Sequence, residues 1–135
     1  MNAIIDANVI IAAFHKGDEN APQGSEILKK FREGAITRLY TTSYVMIEAV
    51  NFLIRKAPFS IARDVYKFFT QTERLTLLYM DSSQEFSIRD KFLKYESLSI
   101  TDCSLLAIAE EMEINTIYSF DSGFDKVKRI LRLEQ

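Results

Sequence analysis

Apolar residues along the chain follow two patterns, short continuous runs and longer stretches in which they recur every three or four positions. The short runs predict buried strands, and the longer pattern predicts helices with an apolar face. The predicted strands cover residues 3–6, 36–42, 75–79, 114–119 and 130–133. The predicted helices cover residues 25–34, 43–56, 60–72, 82–95 and 102–112. Residues 15–23 contain both Gly17 and Pro22 and are predicted to form a loop, with a turn between this loop and the first strand.

Local signals mark several helix boundaries. Ser25 is a predicted N-cap, and Gly34 lies where a left-handed residue would end the same helix. Pro58 interrupts the helical pattern that precedes it. The segment Ser82-Ser83-Gln84-Glu85 matches a capping box and predicts the start of another helix.

The order of the elements predicts the fold class. Strands that are separated by helices need crossover connections, and these produce a mainly parallel sheet that is covered on both faces. We therefore expect a three-layer α/β/α protein. A chain of 135 residues has room for one ordinary domain, so residues 1–135 are predicted to form a single unit.

Composition and charge narrow the functional classes. The chain contains no apolar run long enough to cross a membrane and no leader peptide, so we expect a cytoplasmic protein. Its single cysteine, Cys103, excludes an internal disulfide and a cysteine-based zinc site. The 17 Lys and Arg against 19 Asp and Glu give a formal net charge of −2. This balance argues against a nucleic-acid partner, because Lys and Arg supply most of the affinity for phosphates.

Four acidic residues depart from the pattern around them. Asp6 ends the first predicted strand, and Asp121 follows the strand that ends at Ser119. Either of them has an ordinary alternative as a turn or capping residue. Asp102 begins a helix that is apolar on most faces, where it could simply complement the helix dipole.

Glu48 is the most unusual of the four. It lies in a nearly all-apolar helix, with Asn51 as the one polar residue about one turn away. The pattern predicts a buried carboxylate, which would have to be protonated, paired or bound to a cation. The alternative is an exposed strip on which Glu48 is solvated.

All four acids lie at the carboxyl end of a strand or in a helix beside a strand, so they could converge at one edge of the sheet. Converging carboxylates repel each other, and a hard divalent cation removes that repulsion. Oxygen ligands without cysteine or a histidine partner favour Mg²⁺ or Mn²⁺. Such ions support phosphodiester hydrolysis by activating a water molecule, so the acids predict nuclease chemistry.

Four segments in this order resemble the motifs of the PIN domains, including the VapC-type ribonuclease toxins. The segments are Ile5-Asp6-Ala7-Asn8-Val9-Ile10, the helix around Glu48, Leu98-Ser99-Ile100-Thr101-Asp102, and Thr116-Ile117-Tyr118-Ser119-Phe120-Asp121-Ser122-Gly123-Phe124. Their order and intervals cover nearly the whole chain. One departure is Ala7, where many family members carry threonine. The resemblance implies a Rossmann-like fold, bound Mg²⁺ or Mn²⁺, and single-stranded RNA as the substrate.

The resemblance also implies roles for individual residues. The residues that it makes catalytic and metal-binding are Asp6, Glu48, Asp102 and Asp121. The residues that it makes accessory are Asn8, Ser119 and Asp125. Basic residues after the last acid could contact RNA phosphates or form an ordinary solvated face; they are Lys126, Lys128 and Arg129.

Toxin members of the family are implied to form homodimers and to be held in check by a small antitoxin. Met46, Phe68 and Phe69 are candidates for a dimer face, but they could equally belong to the core. Removing four site acids from a net charge of −2 leaves +2, so the acidic balance no longer excludes RNA. Local basic clusters would then have to attract the substrate.

Other functions remain open from the sequence. The chain could be a free-standing RNA-processing nuclease, or a domain that only binds RNA or protein. A phosphatase or a response-regulator receiver would also carry an acidic residue at a strand end. A phosphatase of that type needs a second aspartate two residues after Asp6, where this chain has Asn8.

Overall fold

The computed structural model describes residues 1–135, the whole of the printed sequence. The strands are β1 (Asn2–Ile5), β2 (Arg38–Thr42), β3 (Leu75–Leu78), β4 (Thr116–Tyr118) and β5 (Leu131–Leu133). The helices are α1 (Ala7–Phe14), α2 (Ala21–Arg32), α3 (Ser43–Lys56), α4 (Phe59–Gln71), α5 (Ser82–Lys94) and α6 (Ile100–Met112). A short 3-10 helix covers Ser122–Lys126.

The five strands form one parallel sheet in the order β3-β2-β1-β4-β5, and six helices flank it. This arrangement confirms the α/β fold that the sequence predicts. Ile4 of β1 lies opposite Tyr40 of β2 on one side and Ile117 of β4 on the other. The chain builds the sheet outward from β1 in one direction and then resumes on its other side. The gap between the loops after β1 and β4 is therefore the switch point at which α/β proteins bind ligands.

The core surrounds the two central strands. Ile4, Ile5 and Ile117 are fully buried. Helix α6 is buried from Asp102 to Ala109, as its apolar sequence predicts. None of the six helices combines the length and the apolar character that a membrane span needs. Cys103 is a buried free thiol in α6.

Helix α1 corrects the prediction of a turn between β1 and the loop at residues 15–23. It begins directly after β1, and the Asp6 side chain caps it by accepting from the Ala7 N–H. The sequence pattern conceals this helix because Val9, Ile10 and Ile11 are all buried. A helix that is buried on most sides shows no alternation of polar and apolar faces, and its β-branched residues favour a strand prediction.

Helix α2 begins four residues earlier than predicted. Its first turn contains Pro22, which the helix tolerates there because no backbone N–H is needed at that position. Ser25 is therefore inside the helix and does not cap it. Gly24 packs directly on α1, where an added Cβ would lie 2.7 Å from the Ala13 nitrogen. Gly34 follows the helix with φ of +91°, so the predicted left-handed residue is confirmed.

Two other helices begin with capping boxes. Asp81 caps α5 together with Gln84, so this box lies one residue before the predicted one at Ser82. Ser99 caps α6 together with Asp102, so α6 begins two residues earlier than predicted and Asp102 lies in its first turn.

The apolar residues considered for a dimer face belong to the interior. Phe69 is fully buried and Met46 is nearly so. The Phe68 ring packs edge-on against Phe14, with 5.4 Å between the ring centroids. The sequence left both a dimer face and the core open for these residues, and the structure places Met46 and Phe69 in the core, with Phe68 partly buried against it.

Candidate active site

One cleft at the carboxyl edge of the sheet brings together all four acids singled out in the sequence. The cleft has a volume of about 500 Å³. Asp6 enters it directly from the end of β1, and Asp121 enters from the loop after β4. Asp102 comes from the first turn of α6, and Glu48 comes from α3. The lining residues are Asp6, Asn8, Ile11, Glu48, Phe52, Arg55, Ser97, Ser99, Asp102 and Asp121.

Asp6 is the most deeply placed of the four acids and is 3% exposed. Its Oδ1 accepts a hydrogen bond of 2.7 Å from the Ala7 N–H, and its Oδ2 accepts one of 2.7 Å from the Ser119 hydroxyl. Burial raises the pKa of Asp6 from 3.8 to about 7, with smaller increases from the charges of Asp102 and Glu48. The hydrogen bonds from Ser119 and Ala7 oppose this rise in pKa but do not cancel it.

Asn8 and Ser119 connect the loops that follow β1 and β4. The Asn8 amide donates to Asp6 Oδ2 at 3.3 Å, and its carbonyl accepts from the Phe120 N–H at 3.1 Å. The buried Ser119 Oγ accepts from the Asp121 N–H at 3.0 Å while it donates to Asp6. These two polar side chains therefore hold the Asp6 carboxylate and the start of the Asp121 loop in one fixed arrangement.

Asp102 has a structural role as well as a place in the cleft. Its Oδ2 accepts from the Ser99 N–H at 3.0 Å, and its own N–H donates to the Ser99 hydroxyl at 3.0 Å. Burial raises the pKa of Asp102, the bonds from Ser99 lower it, and the nearby charge of Asp121 raises it further. Asp121 also caps the 3-10 helix by accepting from the Gly123 N–H at 2.8 Å.

Glu48 lines the cleft but is exposed, which corrects the prediction of a buried carboxylate. Helix α3 buries Val45, Ala49 and Leu53 and leaves Glu48 at the edge of its exposed strip. The exposed strip also carries Ile47 and Ile54, which are 51% and 53% exposed. Because these exposed residues are apolar, the sequence pattern does not distinguish the buried face of the helix from the exposed one. Partial desolvation still raises the pKa of Glu48, and the charge of Asp102 adds to the increase.

The donor chemistry of the cleft fits a hard divalent cation. Four carboxylates line it, without histidine or cysteine, and none of them forms an ion pair with a basic side chain. Mg²⁺ and Mn²⁺ prefer such oxygen ligands. In the present side-chain arrangement no group of three acids, histidines or cysteines is close enough to hold one ion. Both Asp6 oxygens and one Asp102 oxygen already accept hydrogen bonds within the protein.

Of the three basic residues that were predicted to contact RNA, only one lies at the cleft. Lys126 lies at the rim, where its ammonium donates to the hydroxyl of the lining residue Ser97 at 3.1 Å. Lys128 is exposed and does not line the cleft. Arg129 forms an ion pair of 2.7 Å with Glu110 and lines a separate cavity of about 440 Å³.

The sequence predicts Asp125 as an accessory residue of the site, but the structure places its side chain elsewhere. It does not line the cleft and instead accepts two hydrogen bonds from Arg132, at 2.9 and 3.0 Å. Arg132 also donates to the Ser119 carbonyl at 3.1 Å. Asp125 therefore contacts the site indirectly, through the backbone of the strand end.

Sequence reasoning missed several lining residues, above all Arg55, Ser97 and Ser99. The spacing Ser99-Ile100-Thr101-Asp102 matches a capping box and would have indicated Ser99. Arg55 follows Glu48 by seven residues, so both lie on one helix face.

Together, the parallel sheet and the acid-lined cleft define an α/β protein with carboxylates clustered at the switch point where proteins of this class bind ligands. The family model for the PIN domain matches residues 3–130. The chain therefore belongs to the PIN domain family. Comparison with curated protein sequences gives no match.

Three solved structures are similar to the chain. VapC20 from Mycobacterium tuberculosis, described as a sarcin-ricin loop cleaving toxin, has a TM-score of 0.85 and 15% identity, and the match covers 98% of this chain and 99% of that one. VapBC2 from Rickettsia felis, bound to a DNA fragment from its promoter, has a TM-score of 0.67 and 14% identity, with 98% of each chain covered. FitAcB from Neisseria gonorrhoeae has a TM-score of 0.64 and 13% identity, covering 97% of this chain and 96% of that one. At these identities the likeness shows the fold.

Proposed function

We propose that this protein is a divalent-metal-dependent endoribonuclease that hydrolyses phosphodiester bonds of single-stranded RNA. The observation that carries the proposal is the convergence of four unpaired carboxylates in one cleft of a PIN domain. Burial raises the pKa of Asp6, Glu48 and Asp102, and the charges of neighbouring acids raise it further, so a bound cation would be favourable. The cleaving activity stated for VapC20 supports RNA as the substrate class.

In this proposal the four acids of the cleft would hold Mg²⁺ or Mn²⁺ after a rearrangement of their side chains. A divalent cation in such a site polarises a phosphoryl oxygen and lowers the pKa of a bound water. The chain itself supplies orientation. Asn8 and Ser119 keep the Asp6 carboxylate directed at a fixed angle, and the Ser99 cap does the same for Asp102. Lys126 at the rim attracts the RNA backbone.

The test is incubation of the purified protein with single-stranded RNA in the presence of Mg²⁺, Mn²⁺ or EDTA. We expect cleavage with either metal and none with EDTA. The Asp6→Asn variant should be inactive, because the amide keeps the shape of the side chain but removes its charge. A matched control is Asp64→Asn, which changes an exposed acid of α4 that does not line the cleft. Equal cleavage by wild type and Asp6→Asn would refute the proposal.

We further propose that the protein is the toxin of a VapBC-type pair and is inhibited by a small antitoxin. The fold shared with VapC20, VapBC2 and FitAcB supports this assignment. Induction of the chain in bacteria should stop growth, and the Asp6→Asn variant should not. An active nuclease that leaves growth unchanged would instead indicate a free-standing RNA-processing enzyme.

The homodimer implied for toxin members also remains a proposal. Exposed apolar side chains that could form an interface are present on two parts of the surface. They are Ile47, Ile54, Phe59 and Tyr66 on α3 and α4, and Phe86, Phe92, Leu93 and Ile100 on α5 and α6. Light scattering during size-exclusion chromatography should give twice the mass of the chain. A monomer at micromolar concentration would contradict the proposal.

A further inference from the structure

Arg55 is the one basic residue that lines the acidic cleft. It is exposed on α3, and neither a hydrogen bond nor an ion pair of its guanidinium is present in the structure. A guanidinium beside several carboxylates would normally pair with one of them. Arg55 thus presents all of its donors to whatever enters the cleft.

Arg55 is one of three residues of α3 that line the cleft in a fixed order along the helix. Glu48, Phe52 and Arg55 are separated by four and then three residues, so they form one stripe along the helix. The stripe presents a carboxylate, then a half-buried aromatic ring, then a guanidinium. From Glu48 to Arg55 the helix rises by about 10 Å. Arg55 therefore lies about two helical turns beyond Glu48, towards the end of α3.

The last two of these groups match the parts of a single-stranded nucleic acid. Aromatic rings stack on bases, and guanidinium groups bind phosphates through two parallel hydrogen bonds. We propose that Arg55 binds an RNA phosphate next to the phosphodiester that is cleaved, and that Phe52 contacts the nucleotide between the two phosphates. This assignment rests on the proposed ribonuclease function, and it predicts the path of the RNA along α3.

Helix-end electrostatics provides an alternative role for Arg55, because cations stabilise the last turn of a helix. Lys56 lies in the same last turn with the same charge, but it does not line the cleft. It is therefore a matched control. A dipole effect would be lost equally in Arg55→Gln and Lys56→Gln, whereas phosphate binding would be lost in Arg55→Gln alone.

The experiment measures binding of a fluorescent single-stranded RNA oligonucleotide at several salt concentrations. The parent protein is the Asp6→Asn variant, so that the RNA stays intact. We expect Arg55→Gln to weaken binding roughly tenfold and to reduce the slope of log affinity against log salt by about 0.7. Arg55→Lys should retain most of the slope, because it keeps the charge. Phe52→Leu should weaken binding and leave the slope unchanged, because it removes no charge.

Two results would overturn the assignment, and they differ from a failure of the proposed function. If Arg55→Gln and Lys56→Gln change RNA binding equally, Arg55 is not a specific phosphate contact. If Arg55→Gln alters only the binding of a protein partner, the guanidinium serves that interface and not RNA. If the wild-type protein neither binds nor cleaves RNA under any condition, the proposed function itself is wrong. Circular dichroism melts of each variant confirm that folding is retained.

Discussion

Two groups of acidic residues in this protein have opposite electrostatics. In the cleft, burial and mutual repulsion raise the pKa of Asp6, Glu48 and Asp102. On the surface, hydrogen bonds from Lys91 and Arg129 lower the pKa of Glu110, and hydrogen bonds from Arg132 lower that of Asp125. The surface acids have their cations within the chain.

The comparison shows how structural and functional acids can be distinguished. The charge of a surface acid with a basic partner is compensated within the folded chain, and removing that acid affects little else. The cleft acids are held in place by hydrogen bonds, but their charge has no compensating cation. Such groups are costly unless something else binds to them, and they are therefore candidates for a functional site.

The largest expected effect is the loss of RNA cleavage when an acid of the cleft is replaced. The Asp6→Asn variant should lower RNA cleavage by more than about 100-fold, because residues that only orient a metal ligand already contribute about 10- to 100-fold and Asp6 is proposed to bind the metal directly. Cleavage rates with Mn²⁺ at saturating RNA provide the measurement. The variant should remain folded, since the amide can still accept from the Ala7 N–H.

The second effect concerns stability and pH without metal. The folded protein holds the pKa of Asp6 at about 7 against an ordinary value of 3.8, so the folded state binds more protons than the unfolded state between these values. Stability should therefore fall as pH rises through this range, by about 2 kcal/mol between about pH 5.5 and about pH 8. Glu48 and Asp102 act in the same direction.

Urea unfolding in EDTA measures this dependence on pH. The Asp6→Asn variant should show a much smaller fall in stability, because residue 6 no longer titrates. Added Mg²⁺ should stabilise the wild type most at high pH, where the acids are charged. Stability that rises with pH in this range would contradict the distinction between the two groups of acids.

A smaller effect is expected from the side chain that orients Asp6. Ser119→Ala removes the donor to Asp6 Oδ2 and the acceptor for the Asp121 N–H. We expect a loss of cleavage of roughly 10- to 100-fold, with a further increase in the Asp6 pKa. A shift of the pH–rate profile to higher pH would show this orienting role. An unchanged profile would assign Ser119 to packing.

The smallest effect is expected at the surface. Asp125→Asn removes the paired partner of Arg132, which also donates to Glu134 and to the Ser119 carbonyl. Cleavage should change by less than about threefold, because the remaining contacts keep Arg132 in place and exposed pairs contribute little. The assay is the one used for Asp6→Asn. A loss as large as that of Asp6→Asn would return Asp125 to the catalytic group.

Much of the architecture could be predicted because each strand and most helices have the periodicity of their own secondary structure. The parallel sheet followed from the alternation of strands and helices. Helix α1 could not be predicted in this way, because the core surrounds it and leaves no polar face. In α3 the error had the opposite cause. The exposed Ile47 and Ile54 made this helix look buried on all sides in the sequence, so Glu48 was predicted to be buried.

The sequence by itself determined which acids are out of place, and it predicted their convergence from their positions at strand ends. Parallel strands have their carboxyl ends at one edge, so residues far apart in the chain must meet there. Only the tertiary structure decided which groups compensate their charge. Asp125 has Arg132 as its partner, Asp6 has only uncharged donors, and Arg55 lines the cleft without a partner. Charge compensation depends on distances of a few ångström between side chains, and these distances exist only in the folded protein.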